Sequence, residues 1–255
     1  MNAPHAAAPY ATRVAAQGRY ELMAMLKNGE QLMLNIALPL TALVVLAHTA
    51  FLDPYAREFS ASRLDFAVPG VLALCIVSTA LSGQGIATGF DRRYGVLRFL
   101  STTPLGKSGL VLGKVIAVLL VICIQYALVI LLSLLLGWHL SVTGILMSIP
   151  TVLLGAAAFT SLGLLIAGTV RAEATLVIVN MAWGILAAGG GTLIPQHHLP
   201  SFFNTLVDFL PSGALGSALR AEFISHHFLL MPHLVLLAWT ALSGLLASKY
   251  FKWSA

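Results

Sequence analysis

Histidines are the residues of this sequence whose type and grouping come nearest to supporting chemistry. Five of them lie towards the C-terminus, and neutral imidazoles are good ligands for metals or haem. No Cys, Asp or Glu completes a recognisable ligand set with them, and neighbouring histidines on a helix point in different directions. We therefore predict that they bind no metal, with a metal or haem site as the alternative. The residues are His197, His198, His226, His227 and His233.

Glycine-containing stretches raise a second possibility, nucleotide binding. Leu105-Gly106-Lys107-Ser108 has the ending of a phosphate-binding loop, but Ser101 occupies the place of the first glycine and the sequence predicts no strand before it. Pairs of glycines four residues apart fit close helix packing in a membrane instead, at Gly85 and Gly89 and at Gly109 and Gly113. We predict no catalytic residue and no cofactor bound by this chain.

The composition indicates which elements must position these residues. Of the 255 residues, 58% are hydrophobic and 9% are charged, and the mean hydropathy is +0.91, whereas soluble domains carry about 25% charged residues. So small a fraction of charged residues cannot cover the surface of a soluble protein of this size. Lipid must therefore solvate most of the exterior. The net charge of +5 lies in short segments between apolar runs and does not indicate a nucleic-acid partner. Cys75 and Cys123 lie inside apolar runs and are expected to be buried.

Six apolar stretches are long enough to cross a bilayer, which takes about 20 residues of helix. Their central portions contain no Asp, Glu, Lys or Arg, and the break at Arg171-Ala172-Glu173 separates the fourth from the fifth. The sequence therefore predicts an all-α membrane protein with one six-helix domain over residues 32–250. The predicted spans lie near 32–52, 66–88, 115–137, 144–169, 174–194 and 232–250.

Basic residues predict the orientation of these spans. With a cytoplasmic N-terminus, eleven Lys and Arg residues fall on the inside and three on the outside, namely Arg57, Arg63 and Arg220. Because basic residues accumulate in cytoplasmic connections, both termini are predicted to be cytoplasmic.

Two segments outside the spans have patterns of their own. Residues 1–11 are predicted to be a flexible N-terminus. Residues 12–30 place Leu22, Met25 and Leu26 on one face and mostly polar residues, among them Gln17 and Glu21, on the other. This pattern predicts a helix lying in the cytoplasmic interface and turning into the membrane near Gly29, with a disordered leader as the alternative.

The segment 195–231, before the last span, alternates short apolar runs with breakers. Each run is too short to span, and exposed loop backbone is not tolerated in lipid. The pattern predicts short helices that dip partway into the outer leaflet.

The segment 91–105, between the second and third spans, combines basic residues with Val96, Leu97 and Leu100 at helical spacing. It fits a short amphipathic helix that docks a cytosolic partner. The alternative is a basic loop needed only for orientation, and composition alone does not separate the two.

The stretch from Phe90 to Lys114 resembles the region after the second span in ABC-2 type permeases, the membrane subunits of one class of ATP-driven exporters. That region of the family carries an acidic residue, basic residues, Gly, Leu and Thr-Pro, and then Gly-Lys opening the third span. The family often has Glu at or near Asp91, and Tyr94 and Phe99 are local variants. The matching residues here are Asp91, Arg92, Arg93, Gly95, Leu97, Leu100, Thr103, Pro104, Gly113 and Lys114.

This resemblance implies a dimer of permease subunits in a bacterial plasma membrane, with two copies of a cytosolic ABC ATPase that bind ATP and Mg. It implies that a coupling helix near 91–103 sits in a groove of the ATPase, beside the leader acting as a connecting helix. The implied coupling residues are Asp91, Arg92, Arg93, Tyr94, Gly95, Leu97, Arg98, Leu100, Thr103 and Pro104. It also implies that 195–231 forms outer re-entrant helices that gate the exit, with Phe202, Phe203, Phe209 and Pro211 as candidates.

Strongly polar groups within the predicted spans are few. Gln84, Gln125 and Asn180 are the candidates for a transport pathway, although membrane amides more often bond neighbouring helices. Carriers driven by protons or sodium normally place an ionisable group in the membrane, and the spans offer none at their centres. An external source of energy is therefore expected.

These patterns together predict the permease subunit of an ABC exporter. A wholly apolar interior without fixed charges would suit a hydrophobic or amphiphilic cargo such as a drug or antibiotic. The alternatives are export of a lipid or lipid-linked glycan and, from other classes, a secondary carrier or an intramembrane enzyme.

Overall fold

The computed structural model of the protein describes residues 8–195, 198 and 201–251, and their side chains except those of Leu34, Lys107 and residues 201–203. All the regular secondary structure in these ranges is helical, and they contain no strand. The prediction of an all-α protein is therefore confirmed.

Six helical segments in the described ranges are long and apolar enough to cross a membrane, which confirms the predicted number. The second crosses as one continuous helix, Arg63–Arg93, made of α4 (Arg63–Val77), a π-helical turn (Ser78–Gly83) and α5 (Gln84–Arg93). The others are α2 (Gly29–His48), α7 (Gly106–Leu135), α8 (Val142–Thr169), α9 (Ala172–Gly189) and α12 (Leu230–Tyr250).

Several predicted boundaries were wrong. The second span continues past residue 88 to Arg93, and the third begins at Gly106, well before residue 115. Hydropathy locates the part of a helix that lies in lipid, whereas basic residues in a last turn interact favourably with the helix dipole and do not end the helix. The first span ends at His48 rather than near 52, and a 3₁₀ turn (Ala50–Leu52) and α3 (Asp53–Glu58) follow it.

The connections alternate between two ends of the bundle. We call the leader end the one that holds α1 (Tyr10–Lys27), the connection 94–105 and the short break at 170–171. The distal end holds residues 49–62, 136–141 and 190–229. The leader end is the one that the charge pattern predicts to be cytoplasmic.

The second span lies at the centre of the bundle. Its residues from Phe66 to Leu81 are buried on all sides, as expected for a helix that is apolar around its whole circumference. A capping box, in which Ser62 and Asp65 bond each other's backbone amides, begins the helix. The predicted glycine packing is confirmed at Gly85, where an added Cβ would lie 3.1 Å from Val179 and 3.4 Å from Gly163.

The leader helix α1 packs lengthwise against the first half of α7. Gly18 and Gly113 meet in this contact, where an added Cβ on Gly113 would lie 3.2 Å from the backbone nitrogen of Gly18. The polar face expected for the leader is therefore not a solvent face, because Gln17 and Glu21 are buried in the contact. This corrects the sequence-based prediction, which had no means of placing α7.

The described part of the segment before the last span contains short helices, and their dip into the outer leaflet stays a prediction. This part contains α10 (Ser201–Asp208), α11 (Pro211–Arg220) and a π-helical turn, Ala221–Ser225. Helix α11 is buried against α4, α8 and α12. Arg220, which the charge pattern assigned to the outer side, is buried and donates hydrogen bonds of 2.9 Å to the carbonyls of Gly191 and Thr192.

Two further expectations about burial are corrected. Cys75 is buried as expected, but Cys123 is exposed on the outer side of α7. The interior also contains charged side chains, including Lys114, Arg220 and Glu222, so it is not wholly apolar.

We predict that Gly163→Ala destabilises the bundle by about 1 to 3 kcal/mol, because overpacking strains the structure around it. A Cβ at Gly163 would lie 2.9 Å from the backbone oxygen of Leu81 and 3.2 Å from that of Ala80. Thermal unfolding of the purified protein measures the change. Gly184→Ala is the matched control, since a Cβ there meets nothing within 4 Å; equal stability of the two variants would contradict the prediction.

Candidate functional site

The connection 94–105 begins with a left-handed turn rather than with a helix. Helix α5 ends at Arg93, and Gly95 has a φ of +77°, a conformation that glycine adopts without strain. A separate short helix, α6, then runs from Val96 to Ser101. The predicted single helix near 91–103 is therefore wrong in its extent: Asp91, Arg92 and Arg93 belong to the second span, and only α6 lies across the end of the bundle.

Helix α6 has one buried and one exposed face. Leu97 is fully buried in a cluster with Val14, Leu105 and Leu110, and Leu100 packs against it. The opposite face presents Phe99, which is 70% exposed. Tyr94, in the turn before α6, is 73% exposed; it stacks on Phe90 and also borders the cavity described below. Exposed aromatic side chains of this kind suit contact with another protein.

Sequence reasoning omitted Phe99 from the candidates, although its position relative to Leu97 already placed it on the other face. Arg98 is also exposed on this side of α6. The Thr103 hydroxyl donates to the Leu100 carbonyl at 2.7 Å, and the Pro104 carbonyl accepts from Arg13 of α1. These bonds hold the connection against the leader helix.

A buried ion cluster joins the leader helix to the second and third spans. The amine of Lys114 on α7 is completely buried and lies 2.9 Å from both carboxylate oxygens of Glu21 on α1. It lies 3.3 Å from Oδ2 of Asp91 at the end of α5. Gln17 donates to Glu21 Oε1 at 2.8 Å. The Lys114 cluster, Lys114 with Glu21 and Asp91, therefore connects three helices through one cation.

The two remaining predicted basic residues attach the second span to the fifth. Arg92 is buried, and its guanidinium donates to the Val170 carbonyl at the break between α8 and α9. Arg93 pairs with Glu173 in the first turn of α9. These contacts attach the end of the second span, just before α6, to the start of the fifth span and to the break that precedes it.

This arrangement suits mechanical transmission and offers no chemistry. A buried ion pair resists separation because each charge loses its partner in a medium of low dielectric. The Lys114 cluster therefore ties α1, α5 and α7 to one another. Glu21 was missed because its role depends on α1 lying against α7, and only the shared face of Gln17, Gly18 and Glu21 hinted at that contact.

A cavity of about 830 Å³ opens beside the Lys114 cluster, between α1, α2, the second span and α9. Apolar and aromatic residues line it together with amide and hydroxyl groups and with three carboxylates, those of Glu21, Glu30 and Asp91. Ser82 donates to Asn180 at 2.9 Å across this cavity. Its lining includes Tyr20, Gln31, Asn35, Leu38, Ser82, Ile86, Phe90, Leu176, Asn180 and Trp183.

The three pathway candidates have three different positions. Asn180 lines the cavity. Gln125 is buried and accepts from Thr79 at 2.9 Å while donating to the Asn35 carbonyl at 2.7 Å, which makes it a bond between helices. Gln84 is buried, and neither of its amide atoms has a hydrogen-bond partner within the described residues.

The candidate gate residues lie at the distal end. Phe209 is exposed, and its carbonyl accepts from the Trp239 indole at 2.8 Å. Pro211 is buried at the start of α11. The side chains of Phe202 and Phe203 lie outside the described residues.

The histidines do not come together as a group. His198 contacts Glu58, with 2.7 Å between Nε2 and Oε2, His226 and His227 are exposed, and His233 is buried. His197 lies outside the described residues. Within the described ranges, no group of three or more His, Cys, Asp or Glu side chains is arranged to hold a metal.

We predict that Glu21→Gln destabilises the protein by about 3 kcal/mol, because removing one partner of a buried pair leaves the other charge poorly compensated. Thermal unfolding measures the effect. Glu30→Gln, the same change at an exposed acid on α2, is the control and should shift stability by no more than about 0.5 kcal/mol. Equal stabilities of the two variants would show that the Lys114 cluster does not hold the helices together.

Comparison with known proteins agrees with this architecture. The family model for the ABC-2 type transporter matches residues 13–224, a range that begins in α1 and ends in the π-helical turn after α11. No curated protein matches the chain. Members of this family are the membrane components of transporters whose ATPase is a separate subunit. The chain therefore belongs to the ABC-2 type transporter family and is a multi-pass membrane permease of an ABC transporter.

Proposed function

We propose that this permease exports a hydrophobic or amphiphilic compound of drug or antibiotic size across a bacterial plasma membrane. Two copies of a separate ABC ATPase supply the energy, and two copies of the permease form the pathway. Both termini lie in the cytoplasm in this arrangement. The cavity between α1, α2, the second span and α9 is the observation that carries the proposal.

The volume and lining of this cavity support a compact amphiphilic cargo. Sites for small molecules typically measure about 300 to 1,000 Å³, and the volume of about 830 Å³ lies in that range. Leu176 and Trp183 offer apolar surface, and Asn180 offers a polar contact that orients a bound compound. A long lipid-linked glycan, the alternative cargo, would exceed this volume.

A second permease copy would enclose the cavity. The faces of α2 and α9 beside it expose large apolar side chains, among them Met33, Val45, Val177, Met181 and Ile185. Lipid can cover such faces, but a second copy would convert an open cavity into a chamber between two chains.

The ATPase would bind at the exposed face of α6. Tyr94, Arg98 and Phe99 project from the leader end, whereas Leu97 anchors the same helix in the bundle. The closing of two ATPase subunits around ATP would then displace α6, and the Lys114 cluster would pass that displacement to α1, α5 and α7. Helices α10 and α11 at the distal end would serve as the exit gate.

We predict that the double variant Tyr94→Ala and Phe99→Ala loses most of its affinity for the ATPase, because exposed aromatic anchors commonly contribute 2 kcal/mol or more each to an interface. Co-purification of the permease with the ATPase subunit, either co-expressed or added afterwards, measures the loss. Phe51→Ala removes an aromatic side chain of 53% exposure at the distal end and should leave co-purification unchanged. Wild-type ATPase binding by the double variant would refute the docking site.

We predict that Asn180→Trp abolishes stimulation of ATP hydrolysis by cargo while basal hydrolysis persists, because the larger side chain fills the cavity. The measurement uses the reconstituted complex and a panel of drugs, lipids and lipid-linked glycans. Ile124→Trp introduces the same side chain on α7, at a residue outside the cavity lining and 40% exposed, and should retain stimulation. If only lipid-linked glycans stimulate ATP hydrolysis, the cargo is a glycan rather than a drug-like compound.

A further inference from the structure

A second buried polar cluster lies at the distal end, remote from the Lys114 cluster. It joins Glu222 of the π-helical turn, Thr151 of α8 and His233 of α12, and all three side chains are buried. The Thr151 hydroxyl lies 2.5 Å from Glu222 Oε1 and 2.9 Å from His233 Nε2. Nε2 of His233 lies 3.4 Å from the same carboxylate oxygen.

The donors and acceptors in this cluster balance only if it holds one labile proton. His233 Nδ1 lies 2.7 Å from the Leu229 carbonyl, which only accepts, so Nδ1 carries a hydrogen. Thr151 has a single hydroxyl hydrogen to share between Glu222 and His233. If Thr151 donates to a Glu222 carboxylate, Nε2 must carry a proton and donate to the Thr151 oxygen. If Thr151 donates to a neutral Nε2, the proton must lie on Glu222, which then donates to the Thr151 oxygen.

The two arrangements contain the same number of protons, and they differ only in which end of the chain holds the labile one. Without that proton, a carboxylate and the lone pair of Nε2 would both face Thr151, which can satisfy only one of them. The buried group left unsatisfied would then carry a substantial desolvation cost.

The surroundings of the cluster also favour a bound proton. Glu222 Oε2 is buried and has no hydrogen-bond partner within the described residues. Burial raises the pKa of Glu222 to about 7, although the Thr151 hydroxyl acts in the opposite direction. The ring of Phe228 stacks on that of His233 with 4.0 Å between centroids, which excludes water from one side.

No other charged group in the described part of the chain compensates Glu222 directly. Arg220 of α11 is committed to the carbonyls of residues 191 and 192, and Asp65 of α4 accepts from the Trp138 indole. His226 contacts only the backbone oxygen of Glu222, at 3.2 Å. Tyr126 of α7, which is half-buried, and Cys75 of α4, which is buried, are ordinarily neutral groups, and α8 contributes no ionisable side chain.

We propose that Glu222, Thr151 and His233 form a proton-binding site that fastens the distal segment 211–225 to α8 and α12. Release of the proton at alkaline pH would break the chain of hydrogen bonds and loosen this segment. This site lies within the permease chain, and its behaviour depends on neither the cargo nor the ATPase.

The sign of the pH dependence follows from the proton count. In the unfolded chain, Glu ionises above about pH 4.3 and His loses its proton above about pH 6.5, so neither carries the labile proton at pH 7 to 8. The folded site holds one proton more than the unfolded chain in that range. Stability therefore falls as the pH rises from about 6.5 until the folded site releases its proton.

Thermal unfolding of the full-length permease in lipid nanodiscs between pH 5.5 and 9 tests the site. For the wild type, we expect the unfolding temperature to fall by roughly 3 °C per pH unit from about pH 6.5 to the pH at which the folded site releases its proton, and to level off above that pH. Glu222→Gln should remove this slope, because its amide donates to Thr151 permanently and imitates the protonated carboxyl. His139→Gln removes an exposed histidine elsewhere at the distal end and should retain the wild-type slope. A wild-type slope in Glu222→Gln would overturn the proposal.

A second pair of variants keeps the test decisive if Glu222→Gln does not fold. The Thr151 hydroxyl acts to lower the pKa of Glu222, so Thr151→Val should carry the fall in stability to higher pH. Thr151→Ser keeps the hydroxyl and should preserve the wild-type pH profile. Identical pH profiles of the two variants would overturn the site. Amide hydrogen exchange of residues 211–225 in the wild type should be faster at pH 8.5 than at pH 6, after correction for intrinsic exchange rates. Unchanged protection would overturn the fastening role.

Discussion

In lipid, backbone hydrogen-bonding groups must find partners within the protein, and the whole architecture follows this constraint. Six continuous helices meet it locally, because every amide inside a helix bonds its own chain. The irregular chain at residues 190–195 cannot meet it alone. There the buried guanidinium of Arg220, at the end of α11, donates to the carbonyls of Gly191 and Thr192 and replaces the missing partners. A short, broken segment is thus held inside the bundle by a charge that composition would assign to a loop.

The same constraint explains where charges occur in the interior. An unpaired ion in a medium of low dielectric is expensive, so each buried charge is tied to a specific partner. Lys114 meets two carboxylates from two other helices at the leader end. Glu222 meets a hydroxyl and an imidazole from two other helices at the distal end. Both clusters lie where helices outside the spans pack against the spans, at opposite ends of the bundle.

These two clusters differ in what holds them together. Opposite charges join the leader helix, the second span and the third span around Lys114, and the helices move together unless an ion pair is broken. The distal cluster depends on hydrogen bonds through Thr151, which require the correct number of protons. The Lys114 cluster is therefore insensitive to a mild change of pH, whereas the distal cluster responds to it.

Local properties of the sequence determined the number of spans, the break at Arg171 and the broken segment before the last span. Hydropathy over about 20 residues, together with Pro and Gly positions, is sufficient for these features because each depends on neighbouring residues alone. The buried and exposed faces of α6 followed in part from the spacing of Leu97 and Leu100. The left-handed turn at Gly95 that separates α6 from α5 did not follow from the sequence, because a helix can also continue through glycine.

Only the tertiary structure decided which polar residues face inward. Glu21 and Lys114 are 93 residues apart, and Thr151 and Glu222 are 71 apart; no local pattern assigns such partners. The sequence by itself determined a six-helix membrane protein with a recognisable family motif, since lipid selects for length and hydropathy. Folding determined the ion cluster, the cavity and the distal hydrogen-bond chain, since each exists only where three or more helices meet.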